Sequence, residues 1–166
     1  MRAPPAAKRT RAALRTCERF TFTAIAPLDV TWPLFGADRE QAWASDWHPM
    51  FIWPANAMDQ EGMVFKVAKG KKTAVWVNTA FDRGLGRIQY VYFLPGVVVA
   101  TITLQLTPLA ESTHVAVTYV RTALDATANA RVREMAEQDR VAGREWELQI
   151  NTYLSAQSPS RVSYTG

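Results

Sequence analysis

The sequence predicts an α+β domain in which one long C-terminal helix packs across a curved antiparallel sheet of about six to seven strands. Three observations support this prediction. Residues 19–26 alternate polar and apolar side chains, the pattern of a half-buried strand. Between 64 and 122, segments rich in β-branched and aromatic residues alternate with short turns. Residues 125–156 contain no proline and repeat apolar side chains every three or four positions, as amphipathic helices do.

Two short helices are expected after the first strand. The segment 27–35 contains Pro33, which limits any helix there to a brief or kinked one. Asp38 is placed to cap a second helix over 39–45, with Gln41 at the third position for a reciprocal capping contact. Aromatic residues then cluster, and they form either a lid over a cavity or packing beneath the short helices: Trp43, Trp47, Phe51 and Trp53.

The main run of strands is predicted at 64–68, 73–81, 88–94, 97–106 and 114–122. The connections are short, and Pro95-Gly96 fits the two central positions of a type II turn. Consecutive strands joined in this way form an antiparallel meander. The helix that follows is predicted to begin at Asp125, as its N-cap, and to run for about eight turns.

The charge divides the chain into a basic leader and a nearly neutral domain. The 166 residues carry a formal net charge of +4, yet residues 1–16 alone hold five basic side chains and no acid. We therefore predict a disordered leader over 1–17, one domain over 18–156 and a frayed tail over 157–166. The leader's few charges would give only weak, salt-sensitive contact with nucleic acid, so no specific nucleic-acid partner is expected.

Composition excludes several classes of protein. Cys17 is the sole cysteine, which rules out an internal disulfide framework, and no Cys/His cluster suggests a metal site. No cofactor is predicted. The sequence has no apolar run of about 18 residues, so membrane insertion is not expected. Residues 1–16 lack the apolar core of a secretory signal, and the expected location is the cytoplasm.

The order of these elements resembles the helix-grip fold of the SRPBCC superfamily, which includes the Bet v 1-like, START-like and polyketide cyclase/dehydrase-like proteins. The resemblance covers residues 19–155 and rests on the amino-acid sequence of six segments: FTFTAIAPLDVTWPLF, REQAWASDWHP, GMVFKV, AVWVNTAFD, THVAVTYVRTAL and REWELQINTYL. These segments look like those of an uncharacterised bacterial, polyketide cyclase/dehydrase-like branch of the superfamily. The resemblance implies a hydrophobic ligand held between sheet and helix, and it transfers no catalytic residue.

Two residues depart from a plain apolar stripe on the long helix. Gly143 either permits close approach of the sheet or leaves space for a ligand, since glycine inside a helix costs about 1 kcal/mol relative to alanine. Asp139, one turn earlier, either pairs locally with a base at the edge of the stripe or faces a pocket with a raised pKa. The neighbouring Trp146 completes the helix side of the predicted pocket.

The sheet side of the pocket is predicted from the strand residues assigned to the inner face. Tyrosines are of interest because their hydroxyl groups need partners when buried, although the same rings also serve as core fill. Together with the helix residues, the predicted ligand-binding set is Trp47, Phe65, Val77, Tyr90, Tyr92, Leu104, Tyr119, Asp139, Gly143 and Trp146.

Three functions remain open from the sequence. The first is binding or carriage of a small apolar or aromatic ligand. The second is a cyclase or dehydratase that uses Asp139, His48 or a tyrosine as an acid or base; His48 and His114 by themselves are expected to be ordinary surface or hydrogen-bonded residues. The third is an interaction module. Apolar residues on the face assigned outward also predict a homodimer through the outer sheet: Trp76, Val91, Phe93, Val97 and Val99.

Overall fold

Residues 12–157 are described by the computed structural model. The first eleven residues of the predicted leader and all but the first residue of the predicted tail lie outside this range. Within it, seven strands form one antiparallel sheet. The strands are β1 (Arg15–Ala24), β2 (Met50–Trp53), β3 (Val64–Lys69), β4 (Lys72–Asp82), β5 (Arg87–Leu94), β6 (Val98–Pro108) and β7 (Thr113–Ala123).

The sheet has the order β1-β7-β6-β5-β4-β3-β2, so strands β2 to β7 form a meander and the first strand lies beside the last. β1 begins at Arg15, three residues before the predicted start of the domain. The strand begins at Arg15 because this residue pairs with Thr122 of β7. The Arg15 guanidinium also donates a hydrogen bond of 2.8 Å to the Thr122 hydroxyl. The four-residue strand β2 at the far edge was not predicted.

The segment between β1 and β2 holds a short helix α1 (Leu28–Thr31) followed by two 3₁₀ turns, Trp32–Phe35 and Arg39–Ala42. The second predicted helix is therefore a single tight turn. Asp38 does not cap it: its backbone is already helical, and its side chain accepts no capping hydrogen bond. Gln41 instead donates its side-chain amide to the carbonyl and carboxylate of Asp38, both at 3.1 Å.

The long helix α2 (Asn129–Gln157) follows a 3₁₀ turn at Ala126–Ala128. Asp125 caps this turn as predicted, because its carboxylate accepts the Thr127 N–H at 2.7 Å. α2 packs mainly on β1 and secondarily on β7. A side-chain methyl group at Gly143 would lie 2.9 Å from Cδ2 of Phe20, so the glycine serves close packing of helix on sheet and leaves no space for a ligand.

One strand has the opposite parity from that predicted. Trp76 is buried on the inner face of β4, whereas Val77 is half-buried on the outer face. Because β4 is apolar on both faces, the period-two pattern gave no means of choosing between them. Trp76 is therefore not part of the apolar patch predicted on the outer face, whereas Val77 is part of it.

The outer face of the sheet carries a continuous apolar row. Val64, Val77 and Val91 are cross-strand neighbours on β3, β4 and β5. Phe93, beside this row, is 43% exposed.

Within residues 12–157, the helices lack a segment that combines the length and the apolar character needed to span a membrane.

Candidate functional site

A cavity of about 200 Å³ lies on the inner face of the sheet, between the strands, the 3₁₀ segment and α2. Its lining is mostly aromatic, and six of its members carry a formal charge or titrate as acids or bases: Glu40, Lys69, Arg121, Tyr90, Tyr92 and Tyr119. The full lining is Phe35, Glu40, Trp47, Lys69, Trp76, Tyr90, Tyr92, Ile102, Leu104, Tyr119, Arg121 and Trp146.

The aromatic wall is held rigidly by ring contacts. Trp76 stacks on Tyr92, with ring centroids 4.4 Å apart, and meets Trp47 edge-on at 5.2 Å. Phe65 stacks on the other side of this group at 5.7 Å from Trp76. Trp146 of α2 closes the wall by contacting Phe35 at 6.4 Å. These offset and edge-to-face arrangements are the favourable ones for aromatic pairs.

Hydrogen bonds fix the segment that carries Glu40. The indole N–H of Trp43 donates to the Leu34 carbonyl and that of Trp47 donates to the Ala37 carbonyl, each at 2.7 Å. Trp43 and Trp47 are both buried, so they pack beneath the 3₁₀ segment, and Trp47 lines the cavity as well. Phe51 is half-buried and Trp53 is exposed.

Asp59 anchors the same segment from the loop before β3. Its carboxylate accepts the Ala37 N–H at 2.7 Å, and burial raises the pKa of this carboxyl group to about 6. A larger residue in place of the neighbouring Gly36 would displace this carboxylate, because a Cβ there would lie only 1.9 Å from an Asp59 oxygen. Glu40 is positioned in turn by the hydrogen bond from its N–H to the Gly36 carbonyl.

A buried ion pair forms the polar end of the cavity. Arg121 of β7 donates to both carboxylate oxygens of Asp139 on α2, at 2.5 and 2.7 Å. It also donates to the hydroxyl of Tyr92, and its guanidinium lies 4.8 Å from the centroid of the Tyr119 ring. Burial raises the pKa of Tyr92, which keeps its hydroxyl neutral.

Glu40 and Lys69 lie where the cavity opens. Burial raises the pKa of Glu40 to about 8, against an opposing effect of Lys69. Lys69 is exposed at its surface, yet partial loss of solvent lowers its pKa; Glu40 opposes this shift and the positive charge of Arg121 adds to it. Neither side chain makes a hydrogen bond within the described part of the chain, so both are available to a ligand.

A second, more polar cleft of about 220 Å³ begins at this opening. It shares Glu40, Trp47, Lys69 and Trp146 with the cavity, and its further lining includes the exposed acids Asp46 and Glu145. The four shared residues therefore form the wall between an aromatic interior and a polar surface cleft.

The tyrosines of the cavity differ in whether their hydroxyl groups are already hydrogen-bonded. The Tyr90 hydroxyl donates to the Phe35 carbonyl at 3.0 Å, and burial raises the pKa of Tyr90 well above the ordinary value. Tyr119 makes no hydrogen bond through its hydroxyl within residues 12–157. Trp76 also has a free donor, because its buried indole N–H has no acceptor among the described residues.

Six of the residues predicted from the sequence line the cavity: Trp47, Tyr90, Tyr92, Leu104, Tyr119 and Trp146. Phe65 is fully buried behind Trp76, and Val77 faces the other side of the sheet. Gly143 packs on Phe20. Asp139 is 6% exposed and reaches the cavity only through Arg121, so its partner is a distant strand residue rather than a local base.

Sequence reasoning missed six lining residues: Phe35, Glu40, Lys69, Trp76, Ile102 and Arg121. Arg121 shares the parity of Val115, Val117 and Tyr119, and this signal was sufficient to place it inward. Of the two histidines, His48 is exposed and His114 is half-buried on β7 away from the cavity. Among residues 12–157 there is no group of three or more His, Cys, Asp or Glu side chains that could hold a metal ion.

Comparisons with known proteins extend only to the fold. No protein-family model matches the chain, and no curated protein matches it in sequence. Several solved structures are similar in shape. Norcoclaurine synthase from Thalictrum flavum, in complex with dopamine and hydroxybenzaldehyde, superposes with a TM-score of 0.65 at 9% identity, over 95% of this chain and 99% of that one.

Two further structures agree with this result. Protein Mll3558 from Rhizobium loti has a TM-score of 0.57 at 16% identity, over 82% of this chain and 99% of its own. DynU16, from the dynemicin biosynthetic locus, has a TM-score of 0.52 at 20% identity over 87% of this chain, which spans 49% of DynU16. With its seven-stranded antiparallel sheet, short helical turns after β1 and long C-terminal helix, the protein has the helix-grip fold.

Proposed function

We propose that the protein binds a small aromatic or apolar molecule in the cavity between the sheet and α2. The observation that carries this proposal is a cavity of about 200 Å³ whose walls are stacked aromatic rings and whose opening carries unpaired polar groups. An apolar cavity of about 150 Å³ is enough to hold benzene, so a molecule with one substituted ring matches the volume. Ligand sites commonly combine apolar walls with a few polar groups in this way.

Two neutral probes test the proposal, toluene and p-cresol. Binding is measured by ligand-observed NMR and by quenching of the fluorescence of the tryptophans that line the cavity. Saturable binding is expected. It is expected to be lost in Ile102→Phe, because Ile102 lines the cavity and the larger side chain fills it. Thr101→Phe, on the outer face of the same strand, is the matched control and should bind normally.

Far-ultraviolet circular dichroism and thermal unfolding establish that both variants are folded, since overpacking costs about 1–3 kcal/mol. The proposal fails if the wild-type protein binds neither probe, or if Ile102→Phe and Thr101→Phe bind equally well. It gains support from norcoclaurine synthase, which has the same fold and is seen with dopamine and hydroxybenzaldehyde, each a molecule with a single aromatic ring.

A second candidate function is acid–base catalysis in the same cavity, favoured by one observation. A carboxyl group with a pKa of about 8 at Glu40 titrates close to neutral pH, where a general acid or base is most effective. The test is solvent deuterium exchange at the carbon next to the carbonyl of phenylacetaldehyde, followed by NMR. Exchange above the buffer rate that is lost in Glu40→Gln supports catalysis, and exchange at the buffer rate with wild-type protein contradicts it.

A further inference from the structure

The polar groups left free in the cavity are mainly hydrogen-bond donors. Trp76 has a buried indole N–H without an acceptor, and the Tyr119 hydroxyl and the Lys69 ammonium group make no hydrogen bond within residues 12–157. Arg121 has five N–H groups, and its contacts with Asp139, Tyr92 and the Met135 sulfur use four of them. Of these donors the Trp76 N–H is fully buried, so leaving it unpaired costs free energy. Lys69 is exposed and Tyr119 is half-buried, so their donors are free to bind acceptor atoms of a ligand.

The charge of the cavity is also unbalanced. Arg121 is neutralised by Asp139, with which it shares two hydrogen bonds. Lys69 has no such partner, and the two basic residues destabilise each other's charge. Glu40 is the only other charged group in the lining, and a pKa of about 8 keeps it mostly uncharged at pH 7. Lys69 is therefore the basic residue of the lining that has no hydrogen-bonded acid within residues 12–157, and an anionic group beside it would be favoured.

Other charged groups near the opening limit where an anion can sit. Asp46 and Glu145 line the outer cleft, and Asp59 lies behind Glu40. Asp46 and Glu145 are exposed, so physiological salt weakens their repulsion over distances of about 8 Å. Lys69 lines both the cavity and the outer cleft. A ligand whose anionic group binds Lys69 can therefore place its aromatic ring inside the cavity.

We propose that the ligand of this cavity is a single-ring aromatic carboxylate, whose ring lies among Trp76, Tyr92 and Trp47 and whose carboxylate is bound by Lys69, with Tyr119 and Arg121 as further donors. This inference rests on the proposed function and adds to it the sign of the ligand's charge. The donors, the unpaired lysine and the volume for one ring all belong to the same cavity.

Three probes with the same ring and different charge test the inference at pH 7: benzoate, benzamide and benzylamine. Affinity is measured by isothermal titration calorimetry and by competition with p-cresol in ligand-observed NMR. Benzoate is expected to bind about tenfold or more tightly than benzamide, because hydrogen bonds to a charged group are the stronger ones. Benzylamine is expected to bind least.

Two pairs of variants locate the carboxylate. Lys69→Met should lower benzoate affinity about tenfold and change benzamide or p-cresol affinity little. Lys71→Met removes the same charge from the turn of the same hairpin, outside the cavity, and should leave benzoate binding unchanged. Tyr119→Phe should weaken benzoate binding severalfold, whereas Tyr153→Phe on α2, which also lies outside the cavity lining, should not.

The possible outcomes separate this inference from the proposed function. If p-cresol binds but benzamide or benzylamine equals or exceeds benzoate, the inference is wrong and the binding function stands. Equal losses of benzoate affinity in Lys69→Met and Lys71→Met would also overturn it. If toluene, p-cresol and all three probes fail to bind, the proposed function and the inference are both wrong.

Discussion

Arg121 on β7 and Asp139 on α2 form a two-hydrogen-bond ion pair that crosses the interior from sheet to helix, with nitrogen–oxygen distances of 2.5 and 2.7 Å. Both residues are less than a tenth exposed. The pair joins the polar end of the cavity to the middle of the C-terminal helix. It therefore ties the site to the stability of the fold.

The first prediction concerns this ion pair. Asp139→Ala should lower the free energy of unfolding by about 3–5 kcal/mol, because it leaves the Arg121 charge buried and unpaired. The double variant Arg121→Met/Asp139→Leu should lose much less, since neither charge remains. Urea unfolding measures both. Glu134→Ala, which breaks the exposed ion pair with Arg131, is the control and should lower the free energy of unfolding by less than about 1 kcal/mol. A loss as small as this in Asp139→Ala would contradict the prediction.

The second prediction concerns the pH dependence of stability. Glu40 has a pKa of about 8 in the folded protein against 4.5 for the free side chain, so the folded state binds more protons between these values. The contribution of Glu40 to the free energy of unfolding is greatest below pH 4.5 and is lost as the pH rises to about 8. The wild-type protein therefore loses stability between pH 5 and pH 9 that Glu40→Gln does not lose. The difference in unfolding free energy, Glu40→Gln minus wild type, should be larger at pH 9 than at pH 5 by roughly 1–3 kcal/mol.

Urea titrations at pH 5, 7 and 9 check this difference. Comparison with wild type is necessary because Asp59, whose pKa is raised to about 6, contributes a trend of the same sign at lower pH. Glu61→Gln, an exposed site, is the matched control and should follow wild type at every pH. A Glu40→Gln curve parallel to wild type would show that Glu40 titrates normally.

The third prediction concerns Gly143. Gly143→Ala should destabilise the protein by about 1–2 kcal/mol although alanine is the better helix former, because the new methyl group would lie 2.9 Å from Phe20. Removing ring atoms should relieve the contact, so Gly143→Ala should cost less in a Phe20→Leu background. A double-mutant cycle by urea unfolding measures the coupling, and a Gly143→Ala variant that is more stable than wild type would refute the close-packing account.

The fourth prediction concerns the outer sheet face. The row of Val64, Val77 and Val91 together with the exposed Phe93 predicts a homodimer, because large exposed apolar patches usually mark contacts. Light scattering at high protein concentration should give a dimeric mass that Phe93→Lys reduces to a monomer. Gln89→Lys, on the same face of β5, should remain dimeric. A monomeric wild-type mass at every concentration would rule the dimer out.

Much of the fold was predictable because it depends on periodicity and turn chemistry. The Asp125 cap, the inward faces of β5, β6 and β7 and the long helix all follow from the sequence pattern and agree with the structure. β4 was assigned the wrong parity, since Trp76 and Val77 are both apolar and alternation carries no information there. The four-residue strand β2 is too short to show a pattern.

The polar part of the site was much less predictable than its aromatic walls. Glu40 lies on a single 3₁₀ turn, where no apolar repeat marks an inner face, and its burial depends on the Asp59 loop and on α2. Lys69 sits at the end of a strand beside a lysine-rich turn, a composition typical of a solvated hairpin. Contacts between residues far apart in the chain decide both positions, and one sequence gives no direct view of such contacts.

The pairing of β1 with β7 also determines when the protein can complete its fold during synthesis. The hydrogen bond between Arg15 and Thr122 joins residues 107 positions apart, and the helix that covers β1 is made after all seven strands. A nascent chain can therefore close the meander from β2 to β6 on the ribosome, but β1 stays without its strand partner until β7 has emerged and without its covering helix until α2 has emerged. Contacts of such long sequence separation slow folding, and a chain that ends before α2 would leave the inner face of the sheet uncovered.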